Sequence, residues 1–569
     1  MQPIELRLRT GSLILAGACL LGLLSSQAED TDVWWNLKTG QYIVQHRALP
    51  VPDPFAYTTA LNPPSNAGEE QVWRFNLTHE WLSQTILYAL YAIGGIPAVI
   101  LFRAAMLAAF CAMAGLLAAR RSGNVDLGIA AAFAAACLAV DFTSDRPLVF
   151  TFFFVAVFIT VLELRRFMWL LPVLACIWGN CHGGYFLGWV VLAAYCAETI
   201  PLGRWWKRPA DGRRLWLVTI CTIGASAINP NGFGAVASLV HYRQGTQVSN
   251  LVEWHPPYLW GPPYAFDVLL YASALIVLHA WRKLRPAEWA LFIAFAAAAL
   301  LAFRNILLIG FLAPVLIVGY LPWRFRLPQR AVAWGVPILL AGGLAMGFGR
   351  GSFFQLHAAM WKFPAGAADY LLANNVPGPL FNTWEHGGYL IWRLWPRQRV
   401  FIDGRVLSEA ANRDYRQILY NMDSAVDQVA GPRAELLKRY GIQAVVMNTF
   451  EYDSGAAYPL ALALADPSGS EWQLVYDDAQ TLIFWRNPPA GTPAFTDKVT
   501  HVLDHMDTEC SAAVENDPAA PLCARTLADL WMRSRQNARA RNMLMLYLAH
   551  ARERDPAAEQ ALRQLGGGR

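Results

Sequence analysis

Charge is what this sequence has least of. Only 15% of its 569 residues are Asp, Glu, Lys or Arg, against about 25% in soluble proteins, so the chain does not read as a soluble globule. A basic stripe is missing as well. The formal charge of +5 is scattered through short loop clusters, which leaves no footprint for a nucleic-acid partner. No GxGxxG, P-loop or GxSxG motif occurs in the polar stretch 364–487, so nucleotide binding and elbow-type hydrolysis have no support there. Cysteine is nearly absent from the C-terminal part. Of nine cysteines, only Cys510 and Cys523 lie beyond residue 350. An even pair in an exported tail reads as one disulfide, the alternative being two buried thiols.

What is present is hydrophobic: 55% of residues, with 13% aromatics including 23 Trp. Indole rings collect at membrane interfaces, and the composition is that of a polytopic membrane protein with a soluble portion. After a first apolar run ending at Leu24, further segments lie near 96–118, 125–142, 147–164, 167–180, 184–200, 214–229, 265–282, 286–303, 305–321 and 331–349. This gives about eleven transmembrane helices. The stretch 81–95 reads as an interfacial helix. The N-terminus has two readings, a signal peptide cleaved after Ala28 or a retained anchor; the anchor suits the topology better.

Basic residues occupy alternate loops: Arg7 and Arg9; Arg120 and Arg121; Arg165 and Arg166; Arg204, Lys207, Arg208, Arg213 and Arg214; Arg282, Lys283 and Arg285; Arg324, Arg326 and Arg330. The positive-inside rule puts these, and the N-terminus, in the cytoplasm. Loops 29–95, 141–146, 180–184 and 230–264, and everything after 350, then face outward. The expected organisation is a transmembrane domain over 1–349 with a large first outer loop 29–95, an extracytoplasmic α/β domain over 350–490, and a short all-α appendage over 491–569. In 364–487 helices alternate with strands at "GPLFNT", "RVFIDGR", "AVVMN", "WQLVYDD" and "TLIFWR", with helices near 408–421 and 425–439. The appendage shows Ala, Arg and Leu at helical spacing and reads as tetratricopeptide-like or as a helical cap. The location implied is a bacterial inner membrane, multi-pass, with the C-terminal domain periplasmic.

Polar residues gather on the outward loops. The first carries Asp30, Asp32, His79 and Glu80; the second Asp141, Asp145 and Arg146; the third Asn180 and His182; the fourth Asn229, Asn231, Glu253 and His255; and Arg304 with Asn305 sits in a minimal turn. Any one has an ordinary explanation: Asp32 as an interfacial cap, Arg304 snorkelling, His182 in a turn, Glu80 at a helix N-terminus. Together they describe a polar chamber, because ionisable groups at a membrane boundary are costly unless paired or facing a cavity. Carboxylates on separate loops, Asp32 and Asp145, could hold one divalent cation, Mg or Mn. Alternatively an Asp serves as general base while an Arg clamps a leaving phosphate. Both suit a lipid-linked phosphate donor.

"DTDVWWNLKTGQYI", residues 30–43, resembles the first outer-loop motif of oligosaccharyltransferase catalytic subunits and, more broadly, of GT-C polytopic glycosyltransferases. "NTWEHGGYLIWRLWPRQRVFIDGR", residues 382–405, is similar to the Trp-Trp-Asp-Tyr-Gly region that opens their exported domain. With "HEWLSQ", "SDRPLVFTF", "NCHGGYFLG", "INPNG" and "FRNI", the order resembles more closely a set of uncharacterised bacterial membrane proteins of GT-C-like topology, over most of 25–490. Residue by residue, the resemblance implies Asp32 as metal ligand or base. It sets Asp145 in the second outer loop, and Trp384, Glu385 and Gly387 on the aromatic-acidic-Gly stretch. Glu385 and His386 replace that stretch's Asp and Tyr, and Thr383 replaces one Trp. In the oligosaccharyltransferases the stretch reads the acceptor sequon, so a glycan, lipid or protein hydroxyl is the acceptor to expect.

The leading expectation is a membrane glycosyltransferase moving a sugar from a polyprenyl-phosphate-linked donor to an extracytoplasmic acceptor. Its candidate catalytic residues are Asp32, Asp145 and Glu80. Candidate substrate-binding residues are Arg146, His79, His182, Arg304, Asn305, Trp384, Glu385 and Arg405. The alternative is a non-catalytic scaffold or assembly factor for envelope polysaccharide or protein export, with an envelope protein bound through 491–569. Membrane lipids are partners in either case.

Overall fold

The computed structural model describes residues 3–200, 211–244, 252–321, 329–421, 431–467, 471–517, 521–551 and 554–566. Arg204, Lys207, Arg208, Arg324, Arg326 and the start of the helix expected over 425–439 lie outside the described residues. The chain divides into two units: residues 1–51 with 66–358, and residues 52–65 with 359–569.

Each of the eleven apolar segments folds as a helix: Pro3–Leu24, Trp81–Ser122, Val125–Ala139, Leu148–Leu164, Leu171–Cys181, Phe186–Ala197, Gly212–Ser226, Tyr264–His279, Pro286–Leu301, Ile306–Tyr320 and Gln329–Gly349. Four described stretches are long and apolar enough to cross a membrane: Ala67–Ser122, Val125–Phe142, Phe303–Tyr320 and Ala331–Gly349. Six shorter helices are also apolar. Helix Trp81–Ser122 breaks at Gly94 and Gly95, where Gly95 adopts φ +62° and Pro97 follows. Residues 81–93 are thereby set apart from the rest of the helix. Helices Trp81–Ser122 and Val125–Ala139 pack closely because both present glycine. A Cβ on Gly115 would lie 2.6 Å from the Gly128 carbonyl oxygen, and one on Gly128 would lie 2.6 Å from the Ala119 Cβ. Small residues let apolar helices approach where lipid-like surroundings give no hydrophobic drive.

Three of the basic loops meet at one end of this helical unit. Arg121 lies 2.6 Å from Glu288 and 3.2 Å from Glu163; Arg165 lies 2.6 Å from Glu198; and Arg285 pairs with Glu163 and, at 3.6 Å, with Glu198. Helix Leu148–Leu164 starts just after Arg146 and ends just before Arg165. Its 17 residues separate those two arginines by about 25 Å.

The second unit holds a four-stranded mixed sheet of β1 (Leu380–Asn382), β2 (Ala444–Met447), β3 (Trp472–Asp477) and β4 (Leu482–Arg486), in the order β1-β2-β4-β3. β1 and β2 are parallel, while β4 is antiparallel to both β2 and β3. The stretch "RVFIDGR", expected as a strand, is not one. Val400 forms a single bridge with Ala56, and the next amide, Phe401 N–H, donates to the Asn382 side chain at 2.8 Å instead of to a ladder. Helices Lys498–Asn516, Leu522–Arg533, Asn537–His550 and Pro556–Gly566 follow the sheet. They share its core: Val502, Met506 and Cys510 are buried in one cluster with Leu474, Phe484 and Trp472. The structure bonds Cys510 to Cys523, tying the first of these helices to the second.

Candidate functional site

In the first unit, four loops bring their charges to the end opposite the Arg121–Glu163–Arg285 network. Asp30 and Asp32 stand at the start of helix Asp32–His46. Asp30 Oδ1 accepts the Asp32 backbone N–H at 2.9 Å, and its Oδ2 accepts the Ser144 hydroxyl. Carboxylates at this position are favoured by the helix dipole. Arg146, two residues beyond Ser144, sets its Nε 2.5 Å from Asp30 and 3.3 Å from Asp32, and its Nη1 3.6 Å from Glu253. Glu253 in turn accepts from Arg304 Nη1 at 3.3 Å. Two short turns supply this last pair, Val252–Trp254 and Phe303–Asn305, and they are tied by the Phe303 N–H donating to the His255 carbonyl at 2.8 Å. Arg304 stacks over Trp254 at 4.4 Å, a cation–π contact that fixes its plane.

The result is a run of alternating charge, Asp30 and Asp32, Arg146, Glu253, Arg304, with three carboxylates to two guanidiniums. Burial alone would raise the Asp30 carboxyl. The adjacent Arg146 charge and the hydrogen bonds from Ser144 and Asp32 outweigh it and hold Asp30 below the usual carboxylate range. Asp30 is therefore an ionised anchor for Arg146. The Arg146 side chain is 37% exposed and its guanidinium can still meet an incoming anion.

Glu80, His79 and His182 form a second group in the same unit. Glu80 Oε1 lies 3.2 Å from His79 Nε2 and 3.7 Å from His182 Nε2. The His182 Nδ1 accepts from the Gly184 N–H at 3.0 Å and meets the Thr151 hydroxyl at 2.7 Å. Because Nδ1 accepts the Gly184 N–H it carries no proton, so the Thr151 hydroxyl donates to it while its oxygen accepts from Trp178 Nε1 at 3.0 Å. With Nδ1 an acceptor twice over, the proton of neutral His182 sits on Nε2, facing Glu80. His79 Nδ1 meets the Phe75 carbonyl at 2.8 Å, which assigns a proton there. Arg304 is near enough to act electrostatically on both Glu80 and His182, which joins the two groups.

The remaining sequence candidates lie elsewhere. Asp145 faces away from its neighbour Arg146 and pairs with Arg103 at 2.8 Å, both side chains at most 1% exposed. Arg103 also donates to the Ser26 carbonyl at 2.5 Å. Asp32 and Asp145 thus serve different arginines. Among the described residues no three His, Cys, Asp or Glu side chains come together as a metal site. The gathered carboxylates, Asp30, Asp32 and Glu253, surround the Arg146 guanidinium. Asn305 donates to the Ala298 carbonyl at 3.0 Å and secures its turn.

Trp384, Glu385 and Arg405 belong to the second unit. Glu385 opens helix Trp384–Leu394 and accepts from the Tyr458 hydroxyl at 2.7 Å. Burial pushes its carboxyl up to about 7. His386, the next residue, is fully buried with neither ring nitrogen hydrogen-bonded, and burial pulls it down to about 3. Arg405 is buried between two carboxylates, Asp403 at 2.7 Å and Asp53 at 2.9 Å. It lies over the Phe55 ring at 5.2 Å. Its donors are already engaged, which makes it a structural clamp on residues 52–65.

No family model and no curated protein matches this sequence. Among solved structures, the chain is similar to the archaeal oligosaccharyltransferase AglB from Archaeoglobus fulgidus, solved in complex with an inhibitory peptide and a dolichol-phosphate. The TM-score is 0.53 at 12% identity, over 86% of this chain and 75% of that one. This chain has an oligosaccharyltransferase-like fold. At 12% identity the likeness is one of fold.

Within the oligosaccharyltransferase-like fold, three pairings were not read from the sequence. Asp30, given no role among the outward polar residues, is the nearest partner of Arg146. Arg103, on an apolar helix, has Asp145 as its counterion. Asp53 and Arg405 meet across 352 positions. Only the Arg103 pair could have been suspected, since a charge inside an apolar run requires a partner.

Proposed function

We propose that the chain is a membrane glycosyltransferase that moves a sugar from a polyprenyl-phosphate-linked donor to an acceptor hydroxyl on a glycan, lipid or protein outside the cytoplasm. The observation that carries this reading is the cluster of Asp30, Asp32, Arg146, Glu253 and Arg304, joined to Glu80 and His182, in a chain of oligosaccharyltransferase-like fold. The AglB structure's dolichol-phosphate supports an isoprenoid phosphate donor. The basic network at the opposite end supports an outward-facing centre by the positive-inside rule.

In this reading Arg146 and Arg304 hold the donor phosphate. Arg304 is oriented by Trp254 and Glu253, Arg146 by Asp30. Asp32 takes the proton of the acceptor hydroxyl as its oxygen bonds to the anomeric carbon. The bond from that carbon to the phosphate oxygen breaks, and the phosphate leaves with the electron pair, its developing charge met by the two guanidiniums. Glu80, flanked by His79 and His182, is a second acid–base group within reach of Arg304's field. Glu385 is turned toward Tyr458 in the interior of its unit and His386 has no hydrogen-bond partner, which supports an acceptor other than a peptide sequon.

The test is transfer of a radiolabelled lipid-linked sugar by purified full-length protein. Asp32→Asn, which keeps shape and removes the base, should lower the rate by about 10²–10⁴-fold without changing expression or thermal unfolding. Transfer by Asp32→Asn at the wild-type rate refutes the assignment.

A further inference from the structure

A cleft of about 270 Å³ opens in the first unit between helices Ala67–Thr78 and Gly234–Gln244, lined by Gln71, Arg74, Asn231, Ser238, Pro230 and Gly234. Side-chain hydrogen bonds fix its walls. Asn231 Nδ2 donates to the Thr78 hydroxyl at 2.9 Å, Gln71 Nε2 donates to the Gly234 carbonyl at 3.3 Å, and Ser238 donates to the same carbonyl at 3.1 Å. The lining therefore offers one guanidinium, two amides and one hydroxyl, and no carboxylate.

Arg74 differs from the arginines of the charged centre. Arg146, Arg304 and Arg103 each face a carboxylate. Arg74 is exposed and, among the described residues, takes part in no ion pair, although Glu70 lies one turn earlier on its helix. An unpaired surface arginine means little by itself. One set in a cleft with amide and hydroxyl groups, and without an internal counterion, has the makeup of a site for a hydroxyl-rich anion. The volume is slightly below the roughly 300 Å³ at which pockets for drug-sized ligands begin, which limits the occupant to about one sugar ring.

The cleft also adjoins the charged centre. The Thr78 hydroxyl donates to the Arg74 carbonyl at 2.6 Å, and Thr78 is followed directly by His79 and Glu80. Six residues of nearly continuous helix place Arg74 and Glu80 about 9 Å apart along the axis.

We propose that this cleft is a recognition subsite for an anionic sugar residue, a ring bearing a carboxylate or phosphate, in the glycan substrate. It rests on the glycosyl-transfer reading for its substrate but not for its chemistry, and binding can be measured without transfer. Full-length protein in detergent is titrated with methyl glucuronide, methyl glucoside and glycerol 3-phosphate, with saturation-transfer NMR and calorimetry as readouts. Wild type should bind the glucuronide at least tenfold tighter than the glucoside. Arg74→Gln should abolish that preference and Arg74→Lys should retain part of it, while Asp32→Asn binds as wild type. Equal binding of glucuronide and glucoside, or an unchanged preference in Arg74→Gln, overturns the proposal. Glycerol 3-phosphate bound as tightly as the glucuronide reassigns the cleft to a lipid headgroup and also overturns it. Loss of transfer in Asp32→Asn with binding intact supports both readings. Intact Arg74-dependent binding in a wild-type protein that transfers nothing refutes the transferase and leaves the subsite standing.

Discussion

His505 is shut off from solvent, yet its Nδ1 lies 2.7 Å from Asp477 and its Nε2 3.1 Å from Glu509. Glu509 also accepts from the Thr449 N–H at 2.9 Å and from its hydroxyl at 2.6 Å. Burial alone would lower the imidazole's pKa; the hydrogen bonds to Asp477 and Glu509 overcome that and lift it to about 9. A histidine raised above its unfolded value of about 6.5 contributes stability that is complete below that pH and is lost as pH rises toward 9. Thermal unfolding of the full-length protein should therefore weaken between pH 6.5 and 9. His505→Gln should be less stable than wild type at pH 6 and should show a flatter slope across that window. A variant with the wild-type slope would contradict this. Neighbouring Glu385 and His386 change charge at about 7 and about 3, so the difference between variant and wild type isolates His505. None of this was legible in the sequence. His505 stands in a helix with no local partner except Glu509, and Asp477 comes from a strand.

At the scale of elements, the sequence was read well where one physical signal dominates. Each of the eleven apolar segments holds a helix, four of the described stretches being long and apolar enough to cross a membrane, and the Gly94–Gly95 break separates the part of helix Trp81–Ser122 expected at the interface from the apolar part. The strand expected at 399–405 failed because its apolar run, Val400–Ile402, is buried without a ladder on either side. Phe401 and Ile402 fill the core, while Asp403 and Arg405 turn into the ion pair with Asp53. A short apolar run shows that a segment is buried, not whether its backbone pairs in a ladder. Helix contacts in the first unit make a sharper prediction. Gly128→Leu would force helices Trp81–Ser122 and Val125–Ala139 apart, since even a Cβ there meets Ala119 at 2.6 Å and the Gly115 carbonyl at 2.7 Å. Overpacking of this kind costs about 1–3 kcal/mol. Gly335→Leu, where nothing lies within 4 Å of an added Cβ, is the control and should leave unfolding nearly unchanged. Equal effects at the two positions would refute the close-packing argument.

For the whole molecule, the charged residues of the helical unit sort to two ends, and that sorting was readable from the alternation of basic loops. The partners were not, because acidic residues such as Glu163 and Glu198 look unremarkable inside apolar segments. The candidate site was legible as a set of loops but not as a set of contacts. Nothing in a linear reading says that Arg146 would choose Asp30 and Asp32 while Asp145, beside it, would choose Arg103. The division into units was also hidden, since residues 52–65 join the sheet-bearing unit through Asp53, Ala56 and Thr58.

That early segment sets a timetable for biogenesis. Residues 52–65 emerge from the ribosome before all of residues 66–358, and their partners Val400, Phe401 and Arg405 come later still. At about 5–20 residues per second of synthesis, the segment waits on the order of tens of seconds. During that time its polar groups must be satisfied by water or by a chaperone. A cysteine at Thr58, which is buried in the finished protein, should react with a membrane-impermeant maleimide in a chain truncated at Ala358 and be shielded at full length. Equal shielding in both would mean that the segment finds another partner first.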